Sequence, residues 1–170
     1  MWYALPLMDA SSSPPGAAQG TLKLLVGSGE KIALFTLPFL GVGLILNILY
    51  PDVFSVGGPS ALVQWIAIVI LAVGIINWMW SALLILIKVP RGELITTGPY
   101  AIVKHPLYTG MAFLVLPWLG VLCNSWLGFV IGAIVYVGCR FYAPREEERL
   151  AKMFGSMWDY YCHTVKIPWL

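Results

Sequence analysis

The sequence predicts an all-α integral membrane protein with about four transmembrane helices and a C-terminal amphipathic helix on the cytoplasmic side. Of its 170 residues, 59% are hydrophobic and only 11% are charged, which excludes an ordinary soluble domain. With four apolar runs crossing a membrane, its basic residues also fall on one side of that membrane. A helix of roughly 20 apolar residues crosses a bilayer core. Four runs have about this length, namely Ile32 to Tyr50, Ala61 to Ile87, Leu107 to Cys123 and Trp126 to Tyr142.

The chain before and between the first two runs is richer in polar residues and turn formers. The stretch SSSPPGAAQG at positions 11–20 does not favour regular structure. We therefore expect residues 1–30 to form a flexible N-terminal segment and residues 31–170 a single membrane-embedded domain. Residues 51–60 contain several turn formers, which predicts a helical hairpin between the first two spans.

The third and fourth runs are separated only by Asn124 and Ser125. So short a turn forces the two spans to lie antiparallel and adjacent. Pro117 inside the third span predicts a kink. Gly128 and Gly132 form a GxxxG pattern on the fourth span, and we expect it to serve close packing within the chain rather than dimerisation.

All ten Lys and Arg residues belong to one side of a four-span arrangement. They precede the first run, separate the second from the third, or lie at and after the end of the fourth. By the positive-inside rule, both termini and the connection at 88–106 are cytoplasmic. Because these charges follow the membrane topology, they do not indicate a nucleic-acid partner.

Residues 144–162 have the periodicity of an amphipathic helix, with Pro144 in its first turn. With this periodicity Glu146 and Glu147 lie on the same face of the helix as the apolar residues, whereas Glu148 points to water. All three acids also complement the helix dipole or pair with nearby arginines. That explanation fits Glu148 better, because an unpaired charge on a buried face is costly. The apolar face consists of Leu150, Met153, Phe154, Met157, Trp158 and Tyr161.

The segment GPYAIVKHPLYTG, residues 98–110, places polar and conformationally special residues between two apolar runs. Pro106 restricts His105 to extended backbone and suits a first helical position, so we expect His105 to cap the third span. Free amides at that helix start favour an anion, and the two inward-facing glutamates favour a cation. With the tyrosines of the segment as flat surfaces, the site suits a zwitterionic, partly aromatic cofactor. Taken singly, each residue also fits a structural role as a cap, an interfacial aromatic or a turn.

Two motifs carry a resemblance to a known family. ELITTGPYAIVKHPLYTG, followed some forty residues later by EEERLAKMFGSMWDYYCHTVKIP, resembles the isoprenylcysteine carboxyl methyltransferase family. That family shares its signature with the phospholipid N-methyltransferases, and the resemblance covers roughly residues 60–168. It implies an S-adenosylmethionine-dependent membrane methyltransferase. The implied acceptor is lipophilic or lipidated, and a prenylcysteine carboxylate, a phospholipid amine and a small thiol or other lipophilic molecule are the alternatives.

The resemblance also implies which residues form the site. Glu146 and Glu147 are the expected catalytic pair, with Arg140 or Arg145 engaging the acceptor because Tyr142 stands at the family's basic position. Lys104 replaces the usual arginine, which keeps the charge and loses bidentate geometry, and Trp158 replaces a tyrosine. The expected cofactor-binding residues are Gly92, Glu93, Leu94, Ile95, Tyr100, His105, Pro106, Leu107, Tyr108 and Glu146.

The alternative is a membrane bundle without enzymatic activity, either transporter-like or haem-binding through His105 and His163. Haem ligation normally uses histidines inside facing helices, and these two lie at a helix end and in the tail. A transporter is expected to carry charges near the midplane, and the predicted spans have none apart from Arg140 near one end. The three cysteines form no CxxC pair, so no metal site is predicted.

Overall fold

The structure, a computed structural model, describes the backbone of residues 17–168 and the side chains of residues 29–168. Seven α-helices joined by short turns make up most of this part of the chain. They are α1 (Ala17–Leu49), α2 (Pro51–Phe54), α3 (Ala61–Lys88), α4 (Pro106–Gly110), α5 (Leu116–Leu122), α6 (Leu127–Phe154) and α7 (Ser156–Thr164).

Three helical segments among the described residues are long and apolar enough to cross a membrane. They are Gly29–Leu49, Ala61–Arg91 and Leu127–Phe154. A further apolar segment, Pro106–Leu122, is shorter and lies at the lower end of the length range for a span. The predicted all-α membrane architecture is confirmed, and that four segments cross the bilayer stays a prediction.

The short apolar segment is not a continuous α-helix. A π-helical turn, Met111–Val115, separates α4 from α5, and Pro117 lies in the first turn of α5. Proline lacks a backbone N–H, and its ring clashes with the carbonyl four residues earlier. A wider turn just before the proline relieves both problems. The helix is therefore distorted by a π turn before Pro117, and the kink predicted there stays a prediction.

The centre of the bundle is α6. It packs against α1 and against the short segment from α4 to α5, whereas α3 packs on the short segment. The two helices of the hairpin predicted from residues 51–60 do not pack along each other, because α1 packs mainly on α6 and touches only the turn after α3. Sequence proximity does not select neighbours inside lipid, where close contacts depend on small residues and shape.

Small residues make the closest contacts between α6 and the short segment. A Cβ atom added to Gly128 would lie 2.8 Å from Gly120 Cα and would collide with the carbonyl oxygen of Leu116. One added to Gly132 would collide with the carbonyl oxygen of Ala112. The GxxxG pattern thus serves packing within the chain, as predicted.

The two ends of the bundle differ in character. At one end Ser125 Oγ donates to Asn47 Oδ1 at 2.6 Å, which joins the turn before α6 to the end of α1. The opposite end holds the connection at 88–106 and the last turns of α6, where the basic residues of the sequence cluster. We call this second end the basic end.

The first helix begins earlier than the sequence predicted. α1 starts at Ala17, so the backbone of residues 17–30 is helical where the sequence predicted a flexible segment, while residues 1–16 lie outside the described part. No proline occurs between Ala17 and Pro38 to interrupt the backbone hydrogen bonds. The glycines of this stretch lower helix propensity by only about 1 kcal/mol each.

The predicted amphipathic helix at 144–162 is not a separate element. Its first part belongs to α6, which passes through Pro144 without ending, and its second part is α7. A long packed helix tolerates the one hydrogen bond that proline removes. The chain breaks instead at Gly155, whose φ of 52° and ψ of −125° disfavour any residue with a Cβ. With 28 residues α6 is about 42 Å long and extends beyond a hydrocarbon core.

Candidate active site

A pocket lies at the basic end, between the connection at 88–106 and the last turns of α6 together with α7. Its empty volume is about 670 Å³, including the open mouth. Carboxylate, phenol and imidazole groups share the pocket with a largely apolar wall. The lining residues are Ile85, Val89, Glu93, Leu94, Ile95, Tyr100, Lys104, His105, Leu107, Tyr108, Glu146, Leu150, Phe154, Trp158 and Tyr161.

Two tight turns fold the connection over the end of α3. The first is a 3-10 turn that ends at Gly92, where φ is 68°. The second begins at Gly98, where φ is 64° and an added Cβ would lie 3.2 Å from the Trp80 ring. Glycine is the residue that takes positive φ at no steric cost. Together the turns bring Leu94 and Tyr100 to the same pocket.

The C-terminal tail holds this connection in place. The Ile167 N–H donates to the Ile102 carbonyl at 2.8 Å, and Val103 and Ile167 form a parallel β-bridge. Tyr161 Oη donates to the Tyr100 carbonyl at 2.8 Å. This contact was not predicted, because so short a bridge leaves no hydrophobic periodicity.

The three consecutive glutamates of α6 have different environments. Glu146 is only 6% exposed and lines the pocket, Glu147 is partly buried, and Glu148 is exposed. The prediction from helix phase is confirmed for all three. Burial raises the pKa of Tyr100 above its ordinary value, and the nearby charge of Glu146 raises it further. The phenol therefore stays neutral and able to donate a hydrogen bond.

Glu147 connects α6 to the start of α4. Its Oε2 lies 2.9 Å from Lys104 Nζ, and its Oε1 lies 3.1 Å from His105 Nε2. Both partners line the pocket, whereas Glu147 itself does not. Of the two glutamates expected to hold a cation, Glu146 alone faces the pocket.

The start of α4 differs from the anion site that the sequence suggested. The N–H groups of Tyr108 and Thr109 both donate to the His105 carbonyl, at 3.1 and 3.0 Å. These amides are engaged within the chain, since a helix that begins with a tight turn satisfies its own first donors. Pro106 is buried and is held to α3 by Asn77 Nδ2, which donates to its carbonyl at 3.3 Å.

The structure brings most of the sequence-predicted site residues together. Arg140 is exposed on α6 and does not line the pocket, and its contact with an acceptor stays a prediction. Gly92 and Pro106 shape the connection from outside the lining. The predicted residues that do line the pocket are Glu93, Leu94, Ile95, Tyr100, His105, Leu107, Tyr108 and Glu146.

Part of the pocket wall was recognised only as an apolar helix face. Leu150, Phe154, Trp158 and Tyr161 follow one another at steps of four, four and three residues and line the pocket. Met153 and Met157, assigned to the same face, are exposed. The predicted face was therefore too wide. Ile85 on α3 and Val89 in the turn after it were missed, because nothing in the sequence distinguishes them from the neighbouring apolar residues.

An apolar groove adjoins the pocket between α1, α3 and the short segment. Leu107 and Tyr108 line both the groove and the pocket, so these two residues form a common wall. A Cβ added to Gly29 of α1 would lie 3.2 Å from Tyr108 Oη, which leaves little space between them. The other lining residues of the groove are Ile32, Ala33, Thr36, Leu37, Leu40, Trp78, Met111 and Val135.

The two histidines do not share a cavity. His105 lines the pocket, whereas His163 is exposed on α7 and its Nδ1 lies 2.7 Å from the Asp159 carbonyl. This separation does not favour the haem-binding alternative. No group of three or more potential metal ligands occurs among the described residues.

Comparison with known proteins identifies related sequences. The model of the family described as "Isoprenylcysteine carboxyl methyltransferase (ICMT) family" matches residues 61–152, which is more than half of the chain. The chain is similar to "Protein-S-isoprenylcysteine O-methyltransferase B" of Arabidopsis thaliana, at 34% identity over 86 residues. The match covers 47% of this chain and 42% of the relative, so less than half of the relative's length is spanned. No solved structure matches the chain significantly.

Proposed function

Because the chain belongs to the isoprenylcysteine carboxyl methyltransferase family, we propose that its pocket binds S-adenosylmethionine and directs methyl transfer to a lipophilic acceptor. The observation that carries the proposal is the buried Glu146, which faces a pocket with neutral phenols and apolar walls. Ionisable side chains that are buried in a cleft are concentrated at binding and catalytic sites.

The residues present fit this cofactor by their chemistry. S-adenosylmethionine combines an ammonium, a carboxylate, a sulfonium and an adenosine, and when bound it supplies an electrophilic methyl group. Glu146 suits the positive groups, while Lys104 lies in the same lining and suits the negative one. Apolar side chains such as Leu94 and Trp158 suit the planar base.

The groove beside the pocket supports entry of the acceptor from the lipid. Its walls are almost wholly apolar, and Leu107 and Tyr108 separate it from the cofactor pocket. An acceptor with its lipid tail in the groove would have its polar head at this wall, and it would reach this position from the bilayer without passing through water. Binding in the groove would thus position the acceptor and exclude solvent, which are the main tasks in a displacement at a sulfonium.

We assign the acceptor to one of two lipophilic classes. The matched relative is named for O-methylation of an S-isoprenylcysteine, which supports a prenylcysteine carboxylate, and a carboxylate needs no base. A phospholipid amine would have to lose a proton. His105 suits that task better than Glu147, because both Glu147 oxygens are engaged by Lys104 and His105.

We also place the pocket and both termini on the cytoplasmic side. The support is the basic end, where the Lys and Arg residues of the sequence gather while the turns of the other end carry none. S-adenosylmethionine is a water-soluble cofactor, so a pocket that opens at this end can exchange it with the aqueous phase.

The test is methyl transfer by the purified protein in lipid nanodiscs. The protein is incubated with S-adenosylmethionine labelled in its methyl group and with a membrane lipid extract or a prenylcysteine. We expect label in a lipophilic product and equimolar S-adenosylhomocysteine, and we expect Glu146→Gln to abolish most of it. Alkaline hydrolysis releases label from a methyl ester but not from a methylated amine. Absence of binding and of transfer by the wild-type protein would refute the proposal.

A further inference from the structure

One carboxylate among the described residues bridges two consecutive basic side chains. Glu147 contacts Lys104 through Oε2 at 2.9 Å and His105 through Oε1 at 3.1 Å. The exposed fractions of the three side chains are 29%, 13% and 10% in that order, so the bridge is largely shielded from water. Lys104 and His105 line the pocket, and Glu147 lies outside the lining.

The bridge determines where the imidazole of His105 carries its proton. An ammonium at 2.9 Å holds Glu147 as a carboxylate, and a carboxylate only accepts hydrogen bonds. The contact between its Oε1 and His105 Nε2 therefore requires a proton on Nε2. In the neutral ring the other nitrogen, Nδ1, then has a free lone pair and acts as an acceptor.

We propose that Glu147 is a positioning residue, which holds His105 in its Nε2–H tautomer and so leaves Nδ1 as a hydrogen-bond acceptor for an N–H or O–H donor in the pocket. Lys104 is the second anchor, because it occupies the other carboxylate oxygen and stops Glu147 from turning. This assignment rests on the proposed function only for the identity of the donor. The tautomer itself follows from the contacts among the three side chains.

The second histidine provides an internal comparison. His163 Nδ1 lies 2.7 Å from the Asp159 carbonyl, which also only accepts, so its contact requires a proton on Nδ1. The ring is exposed, and its proton exchanges freely with water. One molecule thus holds two histidines with opposite preferences, of which only His105 is shielded.

The first readout needs no cofactor. Protein labelled with ¹⁵N-histidine in detergent micelles is examined by NMR near pH 8.5, where ordinary imidazoles are neutral, and His163→Gln assigns the signals. We expect His105 to show an Nε2–H proton that exchanges slowly with water. Glu147→Ala should accelerate this exchange at least about 10-fold, whereas Glu148→Ala should leave it unchanged. A His105 proton on Nδ1, or exchange unaffected by Glu147→Ala, overturns the proposal.

The second readout tests whether Glu147 acts through His105. Affinity for S-adenosylmethionine is measured for Glu147→Ala, His105→Gln and the double variant. Loss of the shielded hydrogen bond between the Glu147 carboxylate and His105 should weaken binding about 10-fold in the wild-type background and less than about 2-fold when His105 is already replaced. Additive losses overturn the positioning role. If the wild-type protein binds no cofactor, the proposed function fails while the tautomer measurement still decides this inference.

Discussion

Replacing Glu146 by glutamine tests the site most directly. The change keeps the size and shape of the side chain and removes its charge. Because Glu146 is only 6% exposed and lines the pocket, solvent screens its interaction with a bound cation weakly. Loss of one partner of a buried charge pair costs about 2–5 kcal/mol. Taking the lower value for a pocket with an open mouth, we expect about 30-fold weaker binding of S-adenosylmethionine.

The matched control is Glu148→Gln, which removes the same charge two residues further along α6. Glu148 is exposed and does not line the pocket, so the change should alter binding by less than about 0.5 kcal/mol. Both variants and the wild-type protein are compared by isothermal titration calorimetry in one detergent, after circular dichroism confirms equal helix content. Equal affinity of Glu146→Gln and the wild-type protein would refute the placement of the cation site. An equal loss in both variants would show a long-range charge effect instead.

Two further predictions concern the supports of the site. Tyr161→Phe removes the donor to the Tyr100 carbonyl and should cost about 1 kcal/mol. We expect a melting temperature in detergent lower by several degrees and cofactor affinity lower by several-fold, while Tyr160→Phe, at a position 73% exposed, should have no effect. Gly132→Val should lower the free energy of unfolding by about 2 kcal/mol or more, because the added side chain collides with the backbone of the short segment. Its melting temperature should therefore fall further than that of Tyr161→Phe. Gly41→Ala, with open space around its Cβ, is the control, and equal melting temperatures for these two variants would contradict the packing described.

The helical segments were predictable because the signal for each is local. An apolar run of sufficient length enters the bilayer whatever its neighbours are, so α3 and α6 were found within a few residues of their starts. Helix phase is equally local, which is why the burial of Glu146 and the exposure of Glu148 followed from spacing alone. The ends of the helices were predicted less accurately than their existence. α6 passes Pro144 and ends at Gly155, because packing outweighed the local cost of a proline.

The order of helices in the bundle was not predictable from the apolar pattern. All faces of a lipid-embedded helix are apolar, so hydrophobicity does not tell which helix packs on which. The hairpin of α1 and α3 was predicted from chain connectivity, and the structure instead places α1 on α6. A small residue favours this contact, because a Cβ added to Gly138 of α6 would lie 3.1 Å from the Phe35 ring of α1.

The sequence by itself determined an all-helical membrane chain, the cluster of candidate residues at one end and the inward phase of Glu146. Only the tertiary structure decided that Glu147 pairs with Lys104 and His105, 43 and 42 residues away. It also decided that the C-terminal tail forms backbone hydrogen bonds with the connection at 101–103. The physical reason is the separation along the chain between the residues that each interaction joins. Transfer into lipid and helix phase depend on neighbours along the chain, whereas an ion pair depends on where two distant backbones meet.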